Sequence, residues 1–114
     1  MKTRIEASRL LIYQAALAKQ RAKATGERYT LEAAMAKLHC SEVMYRCANH
    51  AVQLLGGYGL MKEYDVERFY RDQKLLEIGE GTSEIQRLVI SRALVKERKK
   101  HREVANPDKV PARR

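Results

Sequence analysis

The chain has 114 residues, 45 % of them hydrophobic, and a formal net charge of +9. This length suffices for one small domain but not for two. No run of about 18 apolar residues occurs, which excludes a predicted membrane span. The first residues also lack the apolar core of a secretory signal. We therefore predict a cytoplasmic location in a bacterium, or a mitochondrial-matrix location in a eukaryote.

Two long helices are predicted in the first half of the chain. The first runs from about Met1 to Ala24, and Gly26 then provides a left-handed stop. The second runs from about residue 31 to residue 55, with Thr30 as its N-cap and apolar residues at helical spacing. Alanines on both faces of this helix predict burial on more than one side, which calls for additional partners, either missing helices or another subunit.

The two cysteines, Cys40 and Cys47, lie on this second helix. A separation of seven residues puts them on one face but about 10 Å apart along the axis. That distance is too long for a disulfide between them. They are predicted to be small core residues of a reducing compartment, and no metal site is expected.

The second half of the chain is predicted to hold a loop over 56–59 and two further helices. These helices cover about 63–72 and about 83–99, the latter starting after Thr82 or Ser83. The fold prediction is thus an all-α antiparallel helical bundle over residues 1–103. Residues 104–114 contain both prolines and few apolar groups, so they are predicted to be a disordered basic tail.

Much of the positive charge lies at the C-terminal end of the chain. Residues 96–114 carry a net charge of +5 and contain no aromatic side chain on which a base could stack. Such a segment either attracts polyanions or is a solvated helix end. We expect no nucleic-acid partner.

The segment around Glu80 carries the strongest functional signal. Glu80 lies between Gly79 and Gly81, just ahead of a helix start with the S-x-x-Q spacing of a capping box at Ser83 and Gln86. The flanking glycines let another molecule approach the carboxylate closely, as a general base requires. The alternative interpretation is an acid that is favoured near a helix N-terminus.

Three segments resemble the flavin-dependent acyl-CoA dehydrogenase family. Residues 80–87 read EGTSEIQR, as in the family signature, whereas residues 51–59 and 67–72 resemble its AVQxxGGxG and VERxYRD segments. Their order and spacing are those of the family, and the resemblance extends from about residue 1 to 95. It implies the C-terminal helical bundle of such an enzyme, without the first helix of that bundle.

The resemblance also implies roles for individual residues. Glu80 matches the catalytic base, which removes the proton next to the thioester carbonyl while a hydride passes to FAD and trans-2-enoyl-CoA forms. Gly81 would lie near the substrate thioester. Contacts with FAD are implied for Gln53, Leu54, Leu55, Gly56, Gly57, Thr82, Ser83 and Glu84. In the family the first of these segments reaches the FAD of a neighbouring subunit. The plain alternative for its two glycines is a helix C-cap.

Other signature positions have simpler interpretations. Gly79 departs from the Tyr of many relatives, which predicts a larger acyl pocket and leaves the chain length open. Glu at position 80 indicates the active site of the short- and medium-chain subgroups. Arg71 and Asp72 are predicted to be ion-pair or cap groups, and Arg87 a surface or subunit-contact group.

The implied partners are an acyl-CoA substrate, electron-transfer flavoprotein as the electron acceptor, and further copies of the chain in a dimer or tetramer. We expect the 114 residues alone to be inactive, because the substrate-binding β-domain and most flavin contacts lie outside them. The alternative function is a non-catalytic helical oligomerisation or interaction module, in which self-association buries exposed apolar faces.

Overall fold

The computed structural model describes the backbone of residues 1–105 and the side chains of residues 1–102. These residues form helices α1 (Lys2–Thr25), α2 (Thr30–Leu55), α3 (Val66–Ile78) and α4 (Ser83–Ala105), with a 3₁₀ helix at Gly56–Leu60. No strand occurs among the described residues, so the all-α prediction is confirmed. Within these residues, no helix combines the length and the hydropathy of a membrane-spanning segment.

Both ends of the link between α1 and α2 follow from local chemistry. Gly26 adopts φ 73°, and its amide donates to the carbonyl of Ala22 at 2.9 Å, which confirms the predicted left-handed stop. α2 begins at Thr30, and the preceding Tyr29 offers no side-chain cap. The predicted Thr30 N-cap is wrong by one residue, because the Tyr29 carbonyl already accepts the amide of Ala33 at 3.1 Å.

Helix α2 is the central helix of the fold. The other three α-helices and the 3₁₀ helix all pack against it. Ala34 and Ala36 are both buried, although positions two residues apart on a helix are rotated by about 200° around its axis and so face nearly opposite sides. This confirms the predicted burial of α2 on more than one side. Because only residues 26–29 separate α1 from α2, the two helices form an antiparallel pair.

Helix α3 differs from its prediction. It covers Val66–Ile78 rather than 63–72, because nothing breaks the helix before Gly79, whose backbone is extended. Asp72 consequently lies inside the helix and caps neither end. Arg71 does form the predicted ion pair, through a 2.8 Å contact with Glu67 one turn earlier.

Two other element boundaries also differ from the prediction. The predicted loop at 56–59 is part of the 3₁₀ helix, and α4 continues past Lys99 to Ala105. The remainder of the predicted tail, residues 106–114, lies outside the described residues.

The described helices leave much apolar surface uncovered. The buried hydrophobic residues are four alanines and Val43, whereas Leu54 is 79 % exposed and Leu60 74 % exposed. The radius of gyration is 19.5 Å, compared with about 13 Å for a compact domain of this length. The helices therefore form an open arrangement around α2, which is the state expected of a bundle that other elements complete.

Candidate active site

Glu80 and Gly81 form a left-handed turn between α3 and α4. Their φ angles are 53° and 96°, and Glu80 is the only non-glycine residue with positive φ in the described chain. This conformation costs a side-chain-bearing residue about 1–2 kcal/mol. Glu80 therefore keeps it only because surrounding contacts fix the turn.

Two side chains hold the backbone of this turn. The side-chain amide of Gln86 donates to the backbone carbonyls of Glu80 and Gly81, both at 3.3 Å. From α2, the ammonium of Lys37 donates to the same Gly81 carbonyl at 2.7 Å. The turn is thus tied both to α4 and to the central helix.

The start of α4 differs from the predicted capping box. The hydroxyl of Thr82 accepts from the backbone amide of Ile85 at 3.3 Å, and the Thr82 carbonyl accepts from the backbone amide of Gln86 at 2.9 Å. Thr82 is therefore the N-cap, and Ser83 already lies in the helix. The side chain of Gln86 bonds to the turn instead of completing a box. The Ser83 hydroxyl is buried and has no hydrogen-bond partner among the described residues.

The exposed carboxylate of Glu84 lies in the first turn of α4. Its own backbone amide lowers the pKa of Glu84, and the Thr82 hydroxyl lowers it further. Arg87, one turn later, pairs with Glu42 of α2 and lies 3.9 Å from the Glu84 carboxylate. Arg87 thus lies on the surface, as predicted, and its ion pair links α4 to α2 within the chain.

Glu80 also lines a cavity of about 510 Å³ between α2 and the end of α3. Its lining is mostly apolar and consists of Lys37, Cys40, Ser41, Leu75, Leu76, Gly79 and Glu80. A Cβ on Gly79 would lie 3.1 Å from the Leu75 carbonyl oxygen. The absence of a side chain there leaves space beside Glu80, and an added one requires a small shift of its neighbour.

The predicted cofactor residues fall into two separate groups. Thr82, Ser83 and Glu84 line a second, more polar cavity of about 190 Å³ that also includes charged groups of α2 and α3. The exposed residues Gln53 to Gly57 lie at the C-terminal end of α2. Since Glu42 contacts Arg87 near the first group, the second group begins about 16 Å further along α2. The chain does not bring the two groups together.

The glycines of the second group have open surroundings. A Cβ at Gly56 or Gly57 would meet no atom within 4 Å, and Gly56 has φ 57°. Gly56 does end α2, since its amide donates to the Gln53 carbonyl, so the C-cap interpretation also holds. Within the described residues, no group of three or more His, Cys, Asp or Glu side chains could hold a metal ion.

Sequence reasoning assigned no role to Lys37 and misassigned the side chain of Gln86. The available signal for Lys37 was a lone cation in the alanine-rich segment AAMAKLHC of a helix predicted to be buried. A lysine in such a place needs a partner that lets its ammonium leave water. That partner lies 44 positions away and could not be identified from local spacing.

Comparisons with known proteins agree on one family. Residues 1–95 match the profile described as acyl-CoA dehydrogenase, C-terminal domain. The chain is 53 % identical over 91 residues to the short-chain specific acyl-CoA dehydrogenase of Clostridium acetobutylicum, covering 80 % of this chain and 23 % of that protein.

Solved structures give the same result. Butyryl-CoA dehydrogenase from Megasphaera elsdenii superposes with a TM-score of 0.77 at 46 % identity, over 83 % of this chain and 24 % of that one. A chain in the structure of the electron transferring flavoprotein of Acidaminococcus fermentans gives 0.74 at 45 % identity, over 82 % and 24 %. The sequence thus spans about a quarter of the length of these relatives. It belongs to the acyl-CoA dehydrogenase family and corresponds to the family's C-terminal helical domain.

Proposed function

We propose that the protein containing this domain is an FAD-dependent acyl-CoA dehydrogenase and that Glu80 is its catalytic base. The main support is the situation of Glu80, an exposed carboxylate in a fixed turn at the edge of a mostly apolar cavity. Such a cavity suits an acyl chain, and a carboxylate at its edge suits removal of a proton from the carbon next to a thioester.

The acid–base step needs a carboxylate that is shielded from water in the complete enzyme. Burial raises the pKa of a carboxylate, whereas a nearby helix N-terminus lowers it. Glu80 is exposed in the described chain, so its shielding would come from substrate and from parts of the protein outside this domain. A Cβ on Gly81 would lie 2.8 Å from the side-chain nitrogen of Gln86, so the glycine leaves room for the side chain that holds the turn. The substrate thioester would lie beside Gly81, as the family resemblance implies.

The two groups of predicted cofactor residues suit two different FAD molecules. Bound FAD would supply the acceptor for the hydride that leaves the substrate. The Ser83 hydroxyl is buried without a partner in the described chain, which makes it a candidate donor to one cofactor. The open backbone at Gly56 and Gly57 can approach a phosphate, and its separation from Ser83 suits the cofactor of a second subunit. This supports a dimer or tetramer.

The substrate and the acceptor are inferred from the relatives. Likeness to a short-chain specific enzyme and to butyryl-CoA dehydrogenase supports a short acyl-CoA thioester as substrate. Likeness to a chain in an electron-transferring-flavoprotein structure supports that class of flavoprotein as the electron acceptor.

The test is to identify the endogenous protein with an antibody to this segment and to purify it at its natural length. We expect a chain several-fold heavier than 13.1 kDa, with a flavin absorption spectrum that butyryl-CoA bleaches. The 114-residue chain alone should reduce no dye in the same assay. A full-length protein without flavin, or with flavin that no acyl-CoA reduces, would refute the proposal.

A second candidate function is supported by the exposed apolar side chains and the open shape. If cells make the 114-residue chain alone, these surfaces favour a helical module that self-associates. Sedimentation velocity over a 100-fold range of concentration, on the order of 1 to 100 µM, tests this function, because association with a dissociation constant in that range raises the sedimentation coefficient with concentration. A monomer throughout the range would exclude it.

A further inference from the structure

We propose that Lys37 is a positioning residue for Glu80 and acts through the backbone of the turn. The inference rests on the proposed role of Glu80 as the catalytic base. It identifies a residue of α2, 43 positions earlier in the chain, on which the geometry of that base depends.

The contact that carries the inference is the 2.7 Å hydrogen bond from the Lys37 ammonium to the Gly81 carbonyl. Lys37 is half-buried on α2, which has more buried side chains than any other helix within the described residues. A lysine without a structural task extends its ammonium into water. Here the ammonium instead meets a backbone oxygen, and a hydrogen bond from a charged donor is stronger than one between neutral groups.

The turn needs support because it contains two successive residues with positive φ. Gln86 contributes longer bonds of 3.3 Å, but it belongs to α4 and fixes the turn only relative to that helix. Lys37 fixes the turn relative to α2, which forms one wall of the cavity beside Glu80. Loss of Lys37 should therefore let the turn shift against the cavity while α3 and α4 stay folded.

Lys37 and Glu80 line the same cavity, yet they form no ion pair among the described side chains. A direct ion pair would occupy the carboxylate that has to receive a proton. By bonding to the next residue's carbonyl, Lys37 orients the base and leaves its oxygens available. This arrangement indicates positioning rather than participation in the proton transfer.

The kinetic test uses the complete enzyme with three substitutions. Lys37→Met removes the donor and keeps the aliphatic stem, Lys37→Arg restores a cationic donor, and Lys2→Met is the control at an exposed lysine of α1. We expect Lys37→Met to lower kcat by about 10- to 100-fold with a nearly unchanged KM, because a small misplacement of a reacting group has effects of that size. Lys37→Arg should recover most of kcat, and Lys2→Met should match the parent.

A second readout uses the complete enzyme and needs no turnover. Amide hydrogen exchange at Ile85 and Gln86, both bonded to Thr82, should accelerate about tenfold in Lys37→Met, the usual effect of losing a charged hydrogen bond. Exchange in α1 should not change. If the parent enzyme oxidises no acyl-CoA, the proposed function fails while the exchange result still tests the hydrogen bond.

The inference is overturned if the parent enzyme is active and Lys37→Met keeps kcat within about twofold, or if its exchange rates equal those of the parent. If Lys37→Met does not fold, as judged by circular dichroism, Lys37→Gln replaces it. That shorter, neutral side chain should give the same loss of kcat at an unchanged melting temperature. Parent-like kcat in Lys37→Gln would also refute the inference.

Discussion

Gly59 lies directly against the backbone of Val52, so that a Cβ on residue 59 would be 2.7 Å from the Val52 carbonyl oxygen. Backbone atoms of a helix cannot move aside as the end of a flexible side chain can. Gly59→Ala should therefore push the 3₁₀ helix away from α2 and lower the free energy of unfolding by about 1–3 kcal/mol. Urea unfolding followed by circular dichroism measures this loss.

Gly57 provides the matched control for that substitution. It belongs to the same 3₁₀ helix, its φ is not positive, and an added Cβ would meet nothing within 4 Å. Gly57→Ala should change the free energy of unfolding by less than about 0.5 kcal/mol. Equal losses in both variants would contradict the close packing of Gly59 on Val52.

Removal of each of the two adjacent hydroxyls at the start of α4 should affect the stability of the chain differently. Thr82→Ala removes the N-cap bond to Ile85 and should destabilise the chain by about 1 kcal/mol. Ser83→Ala removes a buried hydroxyl that has no partner in the described residues, so it should be neutral or stabilising. Thermal unfolding of the two variants decides between this arrangement and the capping box expected from the sequence.

Ser83→Ala should have a second effect in the complete enzyme. If its hydroxyl bonds to FAD, the variant should bind flavin more weakly although its helix is no less stable. Flavin retention during dialysis measures this effect. Retention equal to that of the parent would remove Ser83 from the predicted cofactor set.

The ion pair on the surface of α3 predicts a pH dependence. The hydrogen bond from Arg71 lowers the pKa of Glu67 below its usual value of 4.5, and nearby cations lower it further. A carboxyl whose pKa is lower in the folded state stabilises the fold above its unfolded pKa, and this contribution disappears as the pH falls through the folded pKa.

Accordingly, Glu67→Gln should lose less stability than the parent when the pH is lowered from 7 to about 3. Arg71→Gln should flatten the same dependence, and the double variant should add nothing further. The effect should be small because the Arg71 side chain is exposed. Parallel pH profiles of melting temperature for the parent and both single variants would contradict the assignment.

Gly79 is predicted to set the length of acyl chain that the enzyme accepts. Its extended backbone can hold a side chain, and a ring at this position would enter the cavity beside Glu80 once the Leu75 carbonyl shifted by a few tenths of an ångström. Gly79→Tyr in the complete enzyme should therefore move the preference toward shorter chains in a panel of acyl-CoA substrates. An unchanged profile would refute this role.

The sequence predicted the helical class, the left-handed end of α1 and the central burial of α2, because each depends on periodicity or on one glycine nearby. It did not predict the full extent of α3, since the stop comes only from the extended backbone at Gly79. It also missed the bond between Lys37 and Gly81, since contacts between distant residues depend on how the helices pack. The roles of Glu80 and of the cofactor residues stay predictions.

The most direct test of the account is proton removal by Glu80 in the complete enzyme. We expect Glu80→Gln to bind FAD and acyl-CoA normally and to reduce the flavin about 10²- to 10⁴-fold more slowly in an anaerobic stopped-flow experiment, the usual range for loss of a general base. Glu63→Gln, in the exposed segment before α3, should match the parent. Parent-like flavin reduction by a folded, flavin-loaded Glu80→Gln enzyme would contradict the central claim.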